Sequence, residues 1–245
     1  MADYRNNLSR MGTTASRPAE EIDAGLRSYM LRVYNYMALA LAVTGIAAIG
    51  TATYAVNNPA FAQLLYASPL RWVVMLAPLA FVLVLSFGIN KLSYGAAQAT
   101  FWAFAAVMGV SLSSIFLVYT GASIAQTFFV TAAAFGALSL YGYTTKRDLS
   151  AMGSFLIMGL FGLIIAMLVN LFLQSSALQF AISVIGVLIF AGLTAWDTQR
   201  IKGMYDYVAH DETLMGRTAI MGALSLYLDF INMFMFLLQF LGNRE

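Results

Sequence analysis

Hydrophobic residues in this chain come in seven runs separated by short polar breaks, the first from about residue 33 to 56 and the last from 217 to 242. The runs between them cover roughly 71–89, 97–119, 122–143, 151–173 and 177–197. A helix of about 20 apolar residues is long enough to cross the hydrocarbon core of a bilayer, so the pattern predicts an all-α membrane protein with seven transmembrane helices. Residues 1–28 are polar and predict a cytoplasmic N-terminal tail, either mobile or carrying a short surface helix, ahead of a seven-helix domain over 29–245. Only Thr120 and Gly121 separate the third run from the fourth, which requires a tight hairpin. Pro78 falls inside the second run, where it removes a backbone hydrogen bond and marks a candidate hinge.

The last run is the least uniform. Thr218, Gly222, Ser225, Asp229 and Asn232 follow one another at offsets of 4, 3, 4 and 3, so the small and polar side chains share one helical stripe. Leu224, Leu228, Phe230, Ile231, Phe234 and Leu238 make the rest of the surface apolar. The expectation is a central helix whose polar stripe is lined by other helices. The sixth run carries a similar stripe, Ser183, Gly186, Phe190, Thr194 and Asp197.

Composition agrees with the pattern: 61% of residues are hydrophobic and 10% charged, the profile of a polytopic helical membrane protein and not of a soluble domain. The net charge of +2 is spread over the flanks of apolar runs and offers no nucleic-acid surface. With the N-terminus inside, eleven of the 13 lysines and arginines fall on the cytoplasmic side, leaving only Arg71 and Arg244 outside. That bias predicts a cytoplasmic N-terminus and a C-terminus on the outer side.

The chemistry must then reside in polar groups at membrane depth. Asp197 and Asp229 are the acidic residues associated with spans, and an intramembrane carboxylate faces the bundle interior and finds partners because its exposure to lipid costs several kcal/mol. If the two approach within hydrogen-bonding distance, both cannot stay ionised, and they share a proton and titrate as a unit. One obstacle stands in the way. Asp229 lies about 18 Å into its helix at 1.5 Å per residue, whereas Asp197 closes the sixth run. They meet only if the sixth helix continues through Ile201 or the seventh begins well below the membrane surface; otherwise Asp197 is a solvated interfacial charge and Asp229 a packing device.

Other chemistries are excluded or weak. The chain has no cysteine, which removes disulfides and thiolate metal sites. The last run lacks the buried lysine of a retinal pigment, and neither aspartate has the Gly-x-Gly-Asp context of intramembrane aspartyl proteases. The single histidine, His210, lies in the loop before the last run. No nucleophile, base or phosphate-binding loop can be assembled, so an enzyme is not expected and no cofactor is called for. Gly153, Gly159 and Gly162 sit in the fifth run, where glycines permit close helix packing.

The segment Leu224-Ser-Leu-Tyr-Leu-Asp-Phe-Ile-Asn-Met-Phe, with Ala195-Trp-Asp-Thr-Gln-Arg-Ile-Lys about thirty residues before it, resembles the paired signature of the Bax inhibitor-1, or transmembrane Bax inhibitor motif, family. Arg27-Ser-Tyr-Met-Leu-Arg-Val-Tyr-Asn-Tyr-Met resembles the opening of its bacterial members. The resemblance runs from about residue 25 to the end. It implies a seven-helix fold with the last helix at the centre, in the bacterial cytoplasmic (inner) membrane, and a pH-sensitive calcium leak gated by a proton-sharing aspartate pair. By motif match that pair is Asp197 and Asp229, with Ser225, Asn232 and Thr194 expected to line the path and Ca2+ as the permeant ion, held only transiently. In bacterial relatives an arginine at the end of the second helix latches onto the aspartate of the sixth; here Lys91 is the only cation at that place, able to supply charge but not bidentate geometry. The resemblance also implies an alternative role, restraint of a membrane-anchored ATP-dependent protease, in which the N-terminal tail does the binding.

Overall fold

The computed structural model describes the backbone of residues 19–243 and the side chains of residues 24–243. Most of the polar tail, with Arg5, Arg10 and Arg17, lies outside that range, as do Arg244 and Glu245. Among the described residues seven helices are long and apolar enough to cross a membrane, numbered here in chain order: α1 Ala19–Asn57, α2 Leu70–Gly88, α3 Tyr94–Leu112, α4 Gly121–Thr144, α5 Ser150–Leu173, α6 Ser176–Val208 and α7 Glu212–Leu241. Between α1 and α2 the chain makes a short helical segment, Pro59–Ala62, that loosens into a π-helical turn, Gln63–Ala67. A 3₁₀ turn, Ser113–Leu117, finishes α3 before the tight connection to α4.

Local chemistry marks where the helices begin. Ser93, Thr120, Ser175 and Asp211 each accept a backbone N–H in the first turn of α3, α4, α6 and α7, satisfying donors that a helix N-terminus otherwise leaves bare. Pro78 is buried within α2, and the helix continues through it. A proline has no N–H for the carbonyl four residues back; that carbonyl, Val74 O, instead accepts from the Ser111 hydroxyl of α3 at 2.5 Å. The weak point of α2 is thereby tied to its neighbour.

α7 is the centre of the bundle, as its pattern predicts. It packs against α1, α3, α4 and α6, and 67% of its apolar window is buried, against 11% for α2 and for α5. Leu224, Phe230, Ile231, Phe234 and Leu238 are buried, together with Ala219, Ile220, Leu226, Tyr227, Met233 and Phe236, whereas Thr218, Ser225 and Asn232 of the polar stripe are only half-buried, so the greasy faces, more than the polar stripe, are what the other helices cover. Glycines set two of the closest approaches. A Cβ on Gly109 would strike the Thr44 carbonyl of α1, and one on Gly142 the Ala195 carbonyl of α6. Where the chain leaves α7, Asn243 O accepts from Thr120 N at 3.2 Å and Asn243 N donates to Ser123 Oγ at 3.0 Å. The end of α7 is therefore pinned to the α3–α4 turn.

Candidate functional site

α6 does not stop at Asp197. Ile201, Tyr205 and Val208 are buried at spacings of four and three, so an apolar stripe continues beyond the hydropathic run and carries the helix to Val208. α7 starts correspondingly early, at Glu212, under an Asp211 cap. Both conditions under which the aspartates meet are thus realised.

Contacts along the α6–α7 pair fix its register. Ile201 faces Gly222, Ser183 meets Gln239 at 3.4 Å, and Phe236 covers Gly186. In this register Asp197 is level with Ser225, and Asp229 lies about one turn further along. Side chains lean toward the N-terminus of their own helix. Because α6 and α7 run antiparallel, Asp197 and Asp229 lean toward one another across that turn, and their carboxyl groups are near enough to interact. Both are buried, Asp197 to 7% exposure and Asp229 to 4%. Asp197 Oδ1 and Asp229 Oδ2 receive no hydrogen bond from any other group. Two carboxylates can hydrogen-bond to each other only with a proton between them.

The pair lines a cavity of about 470 Å³ between α5, α6 and α7, together with Trp196, Arg200, Ser225 and Asn232. Here the polar stripe of α7 meets open space and not a packed helix. The cation beside the pair is Arg200, not Lys91. Arg200 Nη2 stands 3.2 Å from Asp197 Oδ1, reaches Ser225 Oγ at 3.4 Å, and its guanidinium lies 4.9 Å from the Trp196 ring centroid. Lys91 is exposed in the turn after α2. Nothing in the sequence pattern separated Arg200 from the loop charges around it, because its role depends on α6 continuing. Thr194 is fully buried but spends its hydroxyl on Phe190 O at 2.8 Å, and is not part of the cavity wall. Asn232 Nδ2 likewise donates to Leu228 O, at 2.8 Å. Among the described residues no three His, Cys, Asp or Glu side chains gather as metal ligands; a dication at the pair would take its remaining oxygens from hydroxyls, amides or water.

The segment from Ala195 to Lys202 also explains why α6 is held in place. Thr198 Oγ1 is 3.0 Å from Ser139 Oγ, which in turn contacts Tyr34 at 2.6 Å, joining α6, α4 and α1. Trp196 occupies the space left by Gly153 of α5. Gly159 likewise makes room for Ile189, whereas Gly162 faces nothing and serves no contact. Lys202 Nζ donates to Tyr143 O at 2.8 Å and lies over the Tyr143 ring, closing the end of α4. Gln199 accepts from Leu149 N at 2.9 Å and donates to Arg147 O at 2.7 Å, clasping the α4–α5 loop. In that loop the Ser150 hydroxyl and N–H hold the Asp148 carboxyl below the usual carboxylate range. Gln199→Ala should release the loop at a cost of about 2 kcal/mol, the net worth of two typical hydrogen bonds; faster amide hydrogen exchange over residues 145–150, with the rest of α6 unchanged, is the expected signature.

Sequence reasoning missed a second polar cluster at the other end of the same crevice. Asn170 Nδ2 donates to Gln179 Oε1 at 3.0 Å and Gln179 Nε2 to Gln239 Oε1 at 2.7 Å, joining α5, α6 and α7. These amides and Ser183 line a cavity of about 720 Å³. Each residue lies near the end of its run and reads as interfacial; only their common face, one turn apart on Gln179 and Ser183 and opposite Gln239, signals the cluster.

The model of the family described as inhibitor of apoptosis-promoting Bax1 matches residues 26–245. The chain is 51% identical to an uncharacterized protein of Rickettsia prowazekii (strain Madrid E) over 245 residues, 100% of both chains. It is 49% identical to the inner membrane protein YbhL of Escherichia coli (strain K12) over 224 residues, 91% of this chain and 94% of the relative. An uncharacterized protein of Borreliella burgdorferi is 43% identical over 218 residues, covering 89% and 92%.

Proposed function

The chain belongs to the Bax inhibitor-1 family, and from that premise we propose that this multi-pass protein of the bacterial inner membrane is a pH-sensitive calcium leak channel. The observation that carries the reading is the approach of two buried carboxyl groups on α6 and α7 beside a cavity in the crevice between α5, α6 and α7. The pair shares a proton, which holds α6 and α7 in their present register. Loss of that proton leaves two anions in contact in a medium of low dielectric, where like charges repel strongly, so the contact opens as pH rises and re-forms as pH falls. Arg200 offsets part of the charge on Asp197. In a second arrangement Lys91, at the end of the Pro78 helix, competes for Asp197. A hard dication favours oxygen ligands, and the carboxylates, Ser225 and Asn232 provide them on the way through. The chain sits with its N-terminus in the cytoplasm and its C-terminus outside, as the distribution of lysine and arginine directs.

The test is calcium uptake into liposomes containing the purified chain and an entrapped indicator. Uptake faster than in protein-free liposomes, at a rate that changes with pH, is expected; no excess uptake at any pH from mildly acidic to mildly alkaline overturns the reading. Deleting residues 1–25 separates it from restraint of a membrane-anchored ATP-dependent protease. Loss of the cellular phenotype with uptake retained favours the protease reading, and the reverse favours the channel.

A further inference from the structure

Two chambers with polar groups in their walls lie in one crevice between α5, α6 and α7, and something apolar stands between them. The near chamber holds Asp197 and Asp229; the far one holds Gln179, Ser183 and Gln239. Met167 borders both. At the level between them the Phe190 and Phe236 rings stack with centroids 6.0 Å apart and planes inclined by 25°. Phe236 is seated against Gly186, where a Cβ would come within 2.6 Å of the ring. The absence of a side chain on Gly186 lets the ring lie flat across α6, and both rings are buried. From Ser183 to Asp197 is about 21 Å along the helix at 1.5 Å per residue, so the crevice spans much of a hydrocarbon core of about 30 Å.

We propose that Phe236, stacked on Phe190 and seated on Gly186, is an apolar barrier that divides a single polar path through the protein, with the amide-lined chamber as its second mouth. An apolar constriction of this kind excludes water, and ions stop with the water. This rests on the leak reading for what passes, but the barrier itself is tested without any flux. Lysine and arginine are absent from the far chamber's wall, so a hydrated cation enters it without charge repulsion and meets amide and hydroxyl oxygens, the neutral ligands hard cations accept.

The native chain has no cysteine, so single cysteines report cleanly. Ser176→Cys, in the wall of the far chamber, and Asn232→Cys, in the wall of the near one, are treated in sealed vesicles with a cationic, membrane-impermeant methanethiosulfonate applied from the α5–α6 turn side. Ser176→Cys is expected to react and Asn232→Cys to be protected; adding Phe236→Ala should raise labelling of Asn232→Cys at least tenfold. Phe190→Ala should do the same, while Phe236→Leu, which keeps an apolar plug, should not. Calcium uptake should rise in Phe236→Ala. The barrier is overturned if Asn232→Cys reacts equally with and without the ring, or remains protected in both alanine variants when each is monodisperse. If labelling follows the expectation but no variant passes calcium, the barrier stands and the leak reading fails.

Discussion

Replacing Asp229 with asparagine is expected to flatten the pH profile of calcium uptake. In the native chain a one-proton contact can bias an equilibrium by up to about tenfold per pH unit, and that is the slope the uptake rate should approach near the midpoint. Asparagine is neutral at every pH and still donates an N–H to Asp197, so it imitates the protonated pair and fixes the α6–α7 register seen here. Asp197→Asn should act in the same way from the other side, with one difference: Arg200 loses its 3.2 Å ion-pair partner. The direction of the residual rate is informative as well. Rates fixed at the native acid value identify the paired arrangement with low pH, as the shared proton requires. A pH profile unchanged in both variants would remove the pair from gating.

A second large effect is expected from a single methyl group. Gly142→Ala should lower the unfolding midpoint in detergent, at a cost at or above the upper end of the ~1–3 kcal/mol typical of overpacking, because what the new Cβ strikes is the Ala195 carbonyl and not the movable end of a side chain. Backbone can yield only by separating α4 from α6. Ala195 is two residues before Asp197, so the same displacement should disturb the pH response of any surviving protein. Gly162→Ala is the internal comparison. Nothing lies within 4 Å of its added Cβ, and replacing a mid-helix glycine with alanine is worth roughly 0.5–1 kcal/mol in favour of the helix. Equal loss in both would show that glycine matters for the helices themselves and not for their approach.

Much of this molecule could be read from its sequence because hydropathy and helical spacing report on the two things a bilayer enforces, span length and the direction in which charge points. The seven spans and the central last helix follow from those rules, whereas the meeting of Asp197 with Asp229 is left open by them and is expected only from the resemblance of the two motifs. What escaped the pattern depended on where helices continue outside the membrane. Past Asp197 the sequence turns charged, with Arg200, Lys202 and Asp206, so hydropathy ends the helix there; the apolar stripe of Ile201, Tyr205 and Val208 that carries it on has too few residues to raise the average. The role of Arg200 is hidden for the same reason, and the cation that the resemblance points to, Lys91, is exposed. Thr194 shares a stripe with Asp197, but stripe position says nothing about whether a hydroxyl turns outward or bonds back to its own helix. The amides of Asn170, Gln179 and Gln239 come together from three separate spans, a coincidence no single-helix periodicity encodes.

The anchoring of Asn243 to Thr120 and Ser123 means that any tilt of α7 under the proposed gating turns about its C-terminal end. Asp229 sits about 21 Å from that anchor at 1.5 Å per residue, so a swing of about 10° carries its carboxyl nearly 4 Å while the Gln239 end scarcely stirs. Displacement grows with distance from that anchor, past Asp229 and on to Glu212, so under the proposed gating a change of protonation at Asp229 moves the N-terminal half of α7 far more than its pinned end.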